Sequence, residues 1–574
     1  MAIIDPKTAH ESEVLQRFGG IKSFERLSAR GAFDMRNFRI LPDGSLEKRC
    51  GFRKWFSLPA PIRGVWEGEI EGDTYFFAVS GNTVFHVTDN GASMTTVYVL
   101  STSEGPVRFV YYADLLYLFD GKEVVRYRPS SNYFTVAEGY TPLYGKNWHP
   151  TYMGEVNEPL NLIQNRIRIH YLNSSGDTTF RLPYSIKQIN RVTVNGSATT
   201  GYIFNSADLS VTVSAATMGS SVEICATLSD AFNRRGSVLK SYRAIAYRDS
   251  HHETLLCCGG TPGYFVYHSA PVSQEMLDAC KLAYQSSDPL YIPENGVLCV
   301  GSAQHPITAI CQNGEQVLVL NDRTLWAIRH VSEQSADMRI YLLRTDIGCS
   351  APDGLTVDGG NPIVVNESGI YRLDFLQSDP SACSVTCLSN DVFPRLNPEI
   401  LQSAIPFHPR GSGELWLASP SDESGTVWVR DTEQETWVIY DGIRASLFFE
   451  RKGILHFATV FGDICFMDES LDTDDDSPIA AYYQSHYLPF SHPVAQKRAL
   501  HATLCANTEG AHLTLSLETD RGEKSRVFYG KTGDLPELFK MRMASGRFRF
   551  LRFRVSSCGS ERVRIHSLSF SANH

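Results

Sequence analysis

The chain has 574 residues, of which 43% are hydrophobic and 11% aromatic, and it carries a formal net charge of −10. This length and apolar content predict a large multi-domain protein with a sizeable core, and the acidic balance argues against a protein that grips nucleic acid along a basic surface. No stretch approaches the roughly 18 consecutive apolar residues of a membrane span, and the start of the chain lacks a signal-peptide core, so we expect a soluble protein made in a cytoplasm, without membrane insertion.

Residues 1–56 are predicted to form an amino-terminal arm that stands apart from the rest of the chain. Within the arm, residues 37–54 contain two short apolar runs separated by Pro42-Asp43-Gly44. Such a triplet is a strong signal for a turn. We therefore expect a hairpin at this position.

A hairpin unit then recurs along most of the chain, beginning with residues 75–87 and 115–127. Each copy has a short apolar strand, a polar turn of Gly, Asn, Asp or Glu, and a second apolar strand, which predicts antiparallel hairpins. Hairpins that return about every 40 to 50 residues are typical of β-propeller blades. The sequence therefore predicts an all-β protein with about seven blades, which centre near residues 77, 117, 256, 318, 364, 416 and 456.

The repeat has one interruption and one end. We assign residues 57–139 to the first blades and residues 239–470 to the remaining blades, with one short helix at 272–283. Between them, residues 140–238 have strands spaced like those of a small β-sandwich, which indicates an inserted domain. Residues 471–574 are predicted to contain a linker and a carboxy-terminal β-sandwich, and the acidic run 468–478 is predicted to be an exposed loop.

The arm also carries motifs that resemble a known family. Phe18-Gly19-Gly20-Ile21, Asn37-Phe38-Arg39 and the run from Asp43 to Phe52 resemble the amino termini of tail nozzle or hub proteins of short-tailed phages. Cys50 stands where the family pattern often has Pro. Weaker matches of the same kind lie at residues 289–294, 306–310, 322–326, 348–355, 496–500 and 546–551.

The resemblance implies a structural virion protein located in a phage tail. Such a subunit repeats as a homohexameric ring, encloses the genome-ejection channel, and joins the adaptor or head–tail connector to tail fibre or spike proteins. Genomic DNA passes through the channel without specific binding, which an acidic lumen suits because Lys and Arg contacts to phosphate make binding tight. The resemblance also implies that the arm mediates assembly, so that a chain without residues 1–56 would be folded but monomeric.

The residues that we assign to this assembly interface come from two segments. From the arm they are Phe18, Gly19, Gly20, Asn37, Phe38, Arg39, Asp43 and Arg49. From the carboxy-terminal sandwich they are Arg547, Arg549, Arg552 and Arg554. The second group forms an alternating basic stripe, interrupted at Phe550-Leu551 and with Arg562 and Arg564 nearby, that would meet an acidic partner or phosphate. The solvent-facing side of an amphipathic strand explains the stripe without a partner and is the favoured interpretation.

Three other constellations have a chemical and a structural interpretation. Residues 419–428 approach the Asp box of sialidase-type propellers, but the Asp422 to Gly425 spacing is one residue too long, and we expect a turn. The acidic run 468–478 lacks the Gly and Glu of an EF-hand loop. His251-His252 and Cys257-Cys258 offer metal-binding atoms, but neighbouring strand residues point to opposite faces, so we predict no metal site from these four.

We find no nucleophile elbow, phosphate-binding loop, zinc-protease helix or dinucleotide-binding motif in the sequence. We therefore expect a protein that is not an enzyme and has no cofactor. The alternative is a propeller tail component that binds or processes host-surface glycan, because carboxylates on propeller loops can host glycosidases. A cellular scaffold propeller is a third possibility, which the phage-like arm disfavours.

Overall fold

The computed structural model describes residues 10–24, 30–88, 91–229, 235–281, 287–332, 335–376, 379–422, 424–488, 496–533, 535–542 and 547–573. The chain divides into two compact units. One consists of Met1–Ile62 with Ser350–His574, and the other is Arg63–Cys349. In both units the described residues form mainly small antiparallel sheets, so the predicted all-β fold class is confirmed.

The arm contributes five strands. They are β1 (His10–Leu15), β2 (Ala32–Arg36), β3 (Phe38–Ile40), β4 (Leu46–Lys48) and β5 (Gly51–Ser57). The predicted hairpin at 37–54 is present as β3 and β4, which pair from Phe38–Lys48 to Ile40–Leu46.

The second unit contains four blades, each a sheet of four strands in sequence order. The first blade has β6 (Ile62–Ile70), β7 (Asp73–Ser80), β8 (Thr83–Thr88) and β9 (Ser93–Val99), and the second has β10 (Arg108–Tyr112), β11 (Leu115–Phe119), β12 (Val124–Arg128) and β13 (Tyr133–Val136). A 3₁₀ turn at Pro129–Ser131 joins the last two strands.

An inserted domain comes after the second blade, within the predicted range 140–238. Its strands are β14 (Leu143–Trp148), β15 (Arg166–Leu172), β16 (Thr179–Arg181), β17 (Ile186–Val194), β18 (Ser197–Thr199), β19 (Tyr202–Asn205), β20 (Ser210–Val213) and β21 (Ser221–Leu228). They form a five-stranded and a three-stranded sheet, β14-β15-β21-β17-β18 and β16-β20-β19. A separate hydrophobic core, which includes Tyr171, Phe180 and Ile224, lies between them, so this domain is a β-sandwich.

Two more blades complete the second unit. The short helix α1 (Arg235–Leu239) precedes them. A second short helix, α2 (Gln274–Cys280), lies between two strands of the third blade and within the predicted helix at 272–283. The third blade has β22 (Arg243–Arg248), β23 (Glu253–Cys258), β24 (Phe265–His268) and β25 (Val297–Cys299), and the fourth has β26 (Ala309–Asn313), β27 (Gln316–Leu320), β28 (Leu325–Ser332) and β29 (Ser335–Arg344).

The blades of the second unit stack through strands that are apolar on both faces. On β11, Leu116 and Leu118 pack into the core shared with β7, whereas Tyr117 and Phe119 pack into the core shared with β23. Because successive strand residues point to opposite faces of a sheet, a strand with few polar residues buries both sides only between two other sheets. This stacking explains why continuous apolar runs recur along the sequence.

The first unit contains three further blades. The fifth has β30 (Leu355–Asp358), β31 (Asn361–Asn366), β32 (Gly369–Leu376) and β33 (Asp379–Cys387), and the sixth, after a 3₁₀ turn at Phe393–Arg395 and α3 (Pro398–Gln402), has β34 (Ile405–Phe407), β35 (Glu414–Ala418), β36 (Val427–Asp431) and β37 (Thr436–Tyr440). The seventh has β38 (Ala445–Arg451), β39 (Ile454–Thr459) and β40 (Asp463–Asp468), and its fourth strand is β5 from the arm. Seven blades therefore lie in the described part of the chain, at the seven predicted centres.

The same unit ends in a second β-sandwich. After the short strands β41 (Thr473–Asp474) and β42 (Ser477–Pro478), its strands are β43 (Ala481–Ser485), β44 (Arg498–Asn507), β45 (His512–Thr519), β46 (Gly522–Tyr529), β47 (Glu537–Arg542), β48 (Leu551–Ser557) and β49 (Arg564–Asn573). One sheet has the order β3-β4-β49-β44-β47 with β1 on β49, and the other has the order β2-β43-β48-β45-β46. The arm therefore supplies strands to both sheets of this sandwich and does not stand apart as the sequence suggested.

Candidate functional site: an arginine clamp and an adjoining cavity

The arm is fixed in the first unit by a group of four residues that we call the arm clamp: Asn37, Arg49, Asp441 and Asp474. Arg49 is 1% exposed. Its Nε donates to Asn37 Oδ1 at 2.9 Å, and its two terminal nitrogens donate to both carboxylate oxygens of Asp474 at 2.8 and 2.6 Å. The remaining donors reach the carbonyl oxygens of Cys50 and Asp441 at 2.9 and 2.8 Å. All five guanidinium N–H groups are therefore used, which is how a buried arginine avoids a large desolvation cost.

Asn37 joins the clamp to the start of the terminal sandwich. Its Oδ1 accepts from the backbone N–H of Asp441 at 2.8 Å, in addition to Arg49, and its Nδ2 donates to the carbonyl of Ala480 at 2.8 Å. The residue has a φ of 56°, a conformation in which Asn is enriched. Asn37 thereby links the arm hairpin, the loop after the sixth blade and the first strand of the sandwich.

The acidic run 468–478 is the other side of the clamp and only in part the exposed loop that the sequence predicted: residues 469, 470 and 475–478 are exposed, whereas 471–474 are half-buried. Asp474 binds Arg49, and Asp472 binds Arg562 at 2.7 Å. β41 and β42 form a small hairpin on β5. The sequence did not predict these ion pairs because the cationic partners of the carboxylates are far away in sequence.

The close approach of β5 to the acidic hairpin explains why the arm motif has a glycine at position 51. A Cβ atom at this position would lie 1.8 Å from the carbonyl oxygen of Thr473. Only glycine therefore lets β5 approach the acidic hairpin this closely.

The structure corrects the predicted assembly role of several arm residues, because it places them inside the chain itself. Phe18 is 4% exposed and packs edge-on against Tyr483, and Phe38 is fully buried. Asn37 and Arg49 belong to the clamp. Cβ atoms on Gly19 and Gly20 would collide with the backbone of Arg30 and of Trp437. These six residues serve the chain's own core, and among the arm residues Arg39 and Asp43 lie nearer its surface.

The predicted basic stripe lies on the outer face of the terminal sandwich. Arg547, Arg549 and Arg554 are exposed. Arg552 binds Glu518 at 2.7 Å, and Arg554 lies over the ring of Tyr482 at 3.8 Å. Arg552 also lies over the rings of Phe33 and Tyr487, at 5.2 and 5.3 Å. This surface combines guanidinium groups with aromatic rings, and its use as an assembly interface stays a prediction.

A cavity of about 480 Å³ adjoins the clamp between the arm and the sixth and seventh blades. The residues that give it chemical character are Arg39, Cys50, Arg410, Glu414, Trp416, Tyr440 and Glu469. Its half-buried carboxyl, that of Glu414, accepts from Trp416 Nε1 at 3.0 Å, and burial raises its pKa.

Arg39, a second charged group of the cavity, is paired with two carboxylates. Arg39 donates to Glu47 at 2.9 Å and to Glu469 at 2.9 Å. Burial lowers the pKa of Arg39, but these two carboxylates outweigh that effect and raise it above its ordinary value. Burial raises the pKa of the Cys50 thiol to about 12, so this thiol is neutral and a weak nucleophile at physiological pH. The cavity can therefore hold a polar ligand, and it contains no activated thiol.

Of the other residue groups singled out in the sequence, the one around Asp422 forms a turn, and the His251-His252 and Cys257-Cys258 pairs do not meet at one site. Asp422 accepts from the backbone N–H and the hydroxyl of Ser424 at 2.9 and 2.6 Å, in the turn between β35 and β36. Cys257 and Cys258 are buried in β23, whereas His251 is exposed. His252 instead lies beside Asp249 and His330, a partner that sequence reasoning missed because it belongs to the next blade.

The sheets define the chain as a β-propeller protein with two additional β-sandwiches. Among the residues described, none of the helices has the length and apolar character needed to cross a membrane. No family model matches the chain, and no curated protein matches it.

Several solved structures align with part of this chain at low similarity. The computationally designed Ika8 protein is 10% identical, with a TM-score of 0.33 over 72% of this chain and 99% of that chain. BBS1N, solved in complex with ARL6DN, is 12% identical, with a TM-score of 0.36 over 74% and 98%. The AfRom2 CNH domain is 9% identical, with a TM-score of 0.30 over 72% and 97%. Identities of this size say nothing about function.

Proposed function

We propose that the chain is a non-enzymatic structural protein of a bacteriophage tail, the nozzle or hub subunit. Six copies form a ring around the genome-ejection channel and join the adaptor side to the distal tail components. The resemblance of the arm motifs to that family supports the proposal, as does the acidic net charge of −10, which suits a channel that DNA must leave.

The observation that carries the proposal is the position of the most specific motif. Its Arg49 and Gly51, with Asn37, hold the arm, the seventh blade and the terminal sandwich together. A subunit of a conduit must transmit force between neighbours without unfolding, and buried bidentate ion pairs with satisfied donors give such fixed geometry. The motif therefore has a physical reason to occur in a load-bearing virion protein.

The experiment that tests the proposal measures mass and symmetry. Purified protein, alone and after incubation with phage particles, is examined by light scattering and by electron-microscope class averages. We expect six-fold rings with a central hole, or six copies at the tail tip. A monomer that stays absent from particles would contradict the proposal.

The cavity favours a second candidate function, the binding of a host-surface glycan. Sugar sites combine aromatic rings with polar groups in a concave surface. Here Trp416 and Tyr440, which are 3% and 2% exposed, line the cavity together with Glu414 and Arg410, so the polar groups would make most of the contact. The test measures binding to a panel of glycans. We expect the parent chain to bind at least one sugar, and the Glu414→Gln and Arg410→Ala variants to bind that sugar less tightly. Arg521→Ala, which removes an exposed arginine from the terminal sandwich, is the control. Equal binding by all four proteins would contradict this function.

A further inference from the structure

A turn in the third blade places a carboxylate and an imidazole side by side. The turn lies between β22 and β23, and its backbone closes through the N–H of Asp249 and the carbonyl of His252 at 3.1 Å. Asp249 Oδ1 accepts the N–H groups of His251 and His252 at 2.8 and 2.6 Å. These bonds fix the carboxylate, and His252 Nδ1 lies 3.6 Å from the same oxygen.

A second imidazole reaches this turn from the fourth blade. His330, on β28, has a 4% exposed side chain, and its Nδ1 forms a hydrogen bond with Asp249 Oδ2 at 2.5 Å. Its ring stacks on Tyr247 with a centroid distance of 5.1 Å and lies 4.7 Å from the ring of His252. The stacking holds the imidazole in one orientation toward the carboxylate.

The three side chains have the spacing of a metal-binding group. One ligand atom from each can be chosen so that all lie within 4.8 Å of one another. Zinc with ligand bonds of about 2.0 to 2.2 Å separates neighbouring tetrahedral ligand atoms by about 3.3 to 3.6 Å. The His252–Asp249 distance is close to this value, whereas the hydrogen-bonded His330–Asp249 pair is shorter and must open to admit the ion. His252 Nδ1 is buried and has no hydrogen-bond partner, and such an atom requires an explanation, of which an ion is one.

We propose that Asp249, His252 and His330 bind a divalent transition-metal ion such as zinc. Two imidazole nitrogens and one carboxylate oxygen are a common zinc ligand set, and they leave a fourth position for water. Metal binding at His330 Nδ1 replaces its hydrogen bond to Asp249. It also requires the ring proton to lie on Nε2, where the buried Thr254 hydroxyl, 3.3 Å away, accepts it. The ion ties the turn of the third blade to β28 of the fourth.

The test titrates zinc into the full chain after chelator treatment, with calorimetry as the readout. We expect one zinc ion per chain to bind with an affinity that His252→Gln lowers by at least about tenfold, since ligand-shell changes cost about 10- to 100-fold. His251→Gln is the matched control, because it alters the adjacent exposed histidine of the same turn and should keep the parent affinity. Absence of zinc binding by the parent, or the same affinity in His252→Gln, would overturn the proposal.

A second variant covers the case in which His252→Gln does not fold. Asp249→Asn keeps a side-chain oxygen for the turn and removes the charged ligand. Circular dichroism with chelator present establishes that each variant is folded. In the parent, zinc should raise the thermal midpoint, and the Asp249→Asn midpoint should not respond; an equal rise in both would count against the site.

Discussion

Arg49 shows how one side chain determines the position of a whole segment. Its five donors reach the arm, the loop after the sixth blade and the acidic hairpin. The guanidinium carbon of Arg49 also lies 5.6 Å from the centre of the Tyr440 ring. A lysine has three donors in a different geometry and cannot make the same bonds.

Removing this guanidinium should destabilise the chain strongly. Arg49→Ala leaves Asp474 without its cationic partner, and breaking a buried ion pair from one side costs about 3 to 5 kcal/mol. The measurement is urea unfolding, followed by tryptophan fluorescence. Arg410→Ala, an exposed arginine of the same cavity, is the control and should change the free energy of unfolding by less than about 0.5 kcal/mol. If Arg49→Ala lowered the free energy of unfolding no more than Arg410→Ala does, the clamp would contribute little to stability.

Glu414 gives the cavity a dependence on pH. Because burial raises the pKa of Glu414 in the folded chain above its ordinary 4.5, the folded chain holds this proton more tightly than the unfolded chain. The resulting stability is present below about pH 4.5 and is lost as pH rises through the folded pKa.

Glu414→Gln, which stays neutral and can still accept from Trp416, should therefore gain stability relative to the parent as pH rises from about 4.5. Urea unfolding at a series of pH values measures the difference. Glu433→Gln, an exposed carboxyl of the same blade, controls for the loss of one negative charge. A parent-to-variant difference that is constant with pH would show that Glu414 is not desolvated.

At the scale of elements, the sequence predicts what is local. Each blade hairpin is specified by neighbouring residues, such as the apolar runs of β7 and β8 on either side of the turn at Gly81-Asn82, and all seven predicted centres fall on second strands of blades. The arm was misjudged because its partners lie at the other end of the chain: β1 pairs with β49, and β5 pairs with β40. Short strands such as β3 carry no signal that names a distant partner.

The candidate sites were predictable only in part, for the same reason. The arm motif drew attention to Asn37 and Arg49, but their partners Asp441 and Asp474 follow no spacing rule. The doublet His251-His252 was visible in the sequence, whereas His330 joins it only through the stacking of two blades.

Deleting residues 1–56 should prevent folding of the first unit and not yield the folded monomer that the resemblance implied. The deletion removes β1 to β4 from both sheets of the terminal sandwich and β5 from the seventh blade, and so exposes apolar faces and sheet edges. We expect an aggregated or protease-sensitive product in a limited-proteolysis assay. A chain without residues 1–9, which precede β1, is the control. A soluble deletion product with cooperative unfolding would contradict the expectation.

At the scale of the whole molecule, the ring that we propose needs an exposed surface, and the arginine stripe of the terminal sandwich provides one. Arg554→Glu should abolish rings, because it places a negative charge where we predict contact with an acidic neighbour. Loss of its contact with Tyr482 costs only about 0.5 to 1 kcal/mol, so the subunit should stay folded. Light scattering gives the mass, and Arg521→Glu is the control for the charge change. Rings of normal size from Arg554→Glu would exclude this stripe from the interface.

The pairing of β1 with β49 has a consequence for synthesis. Residues 10–15 hydrogen-bond with residues 568–573, so a nascent chain carries unpaired amino-terminal strands until the ribosome has made nearly everything between them. At about 5 to 20 residues per second, that delay lasts roughly half a minute to two minutes. During this time the strands are open to chaperones and to mispairing, and truncated translation products cannot complete the first unit. Completion of the first unit thus depends on the synthesis of β49, residues 564–573.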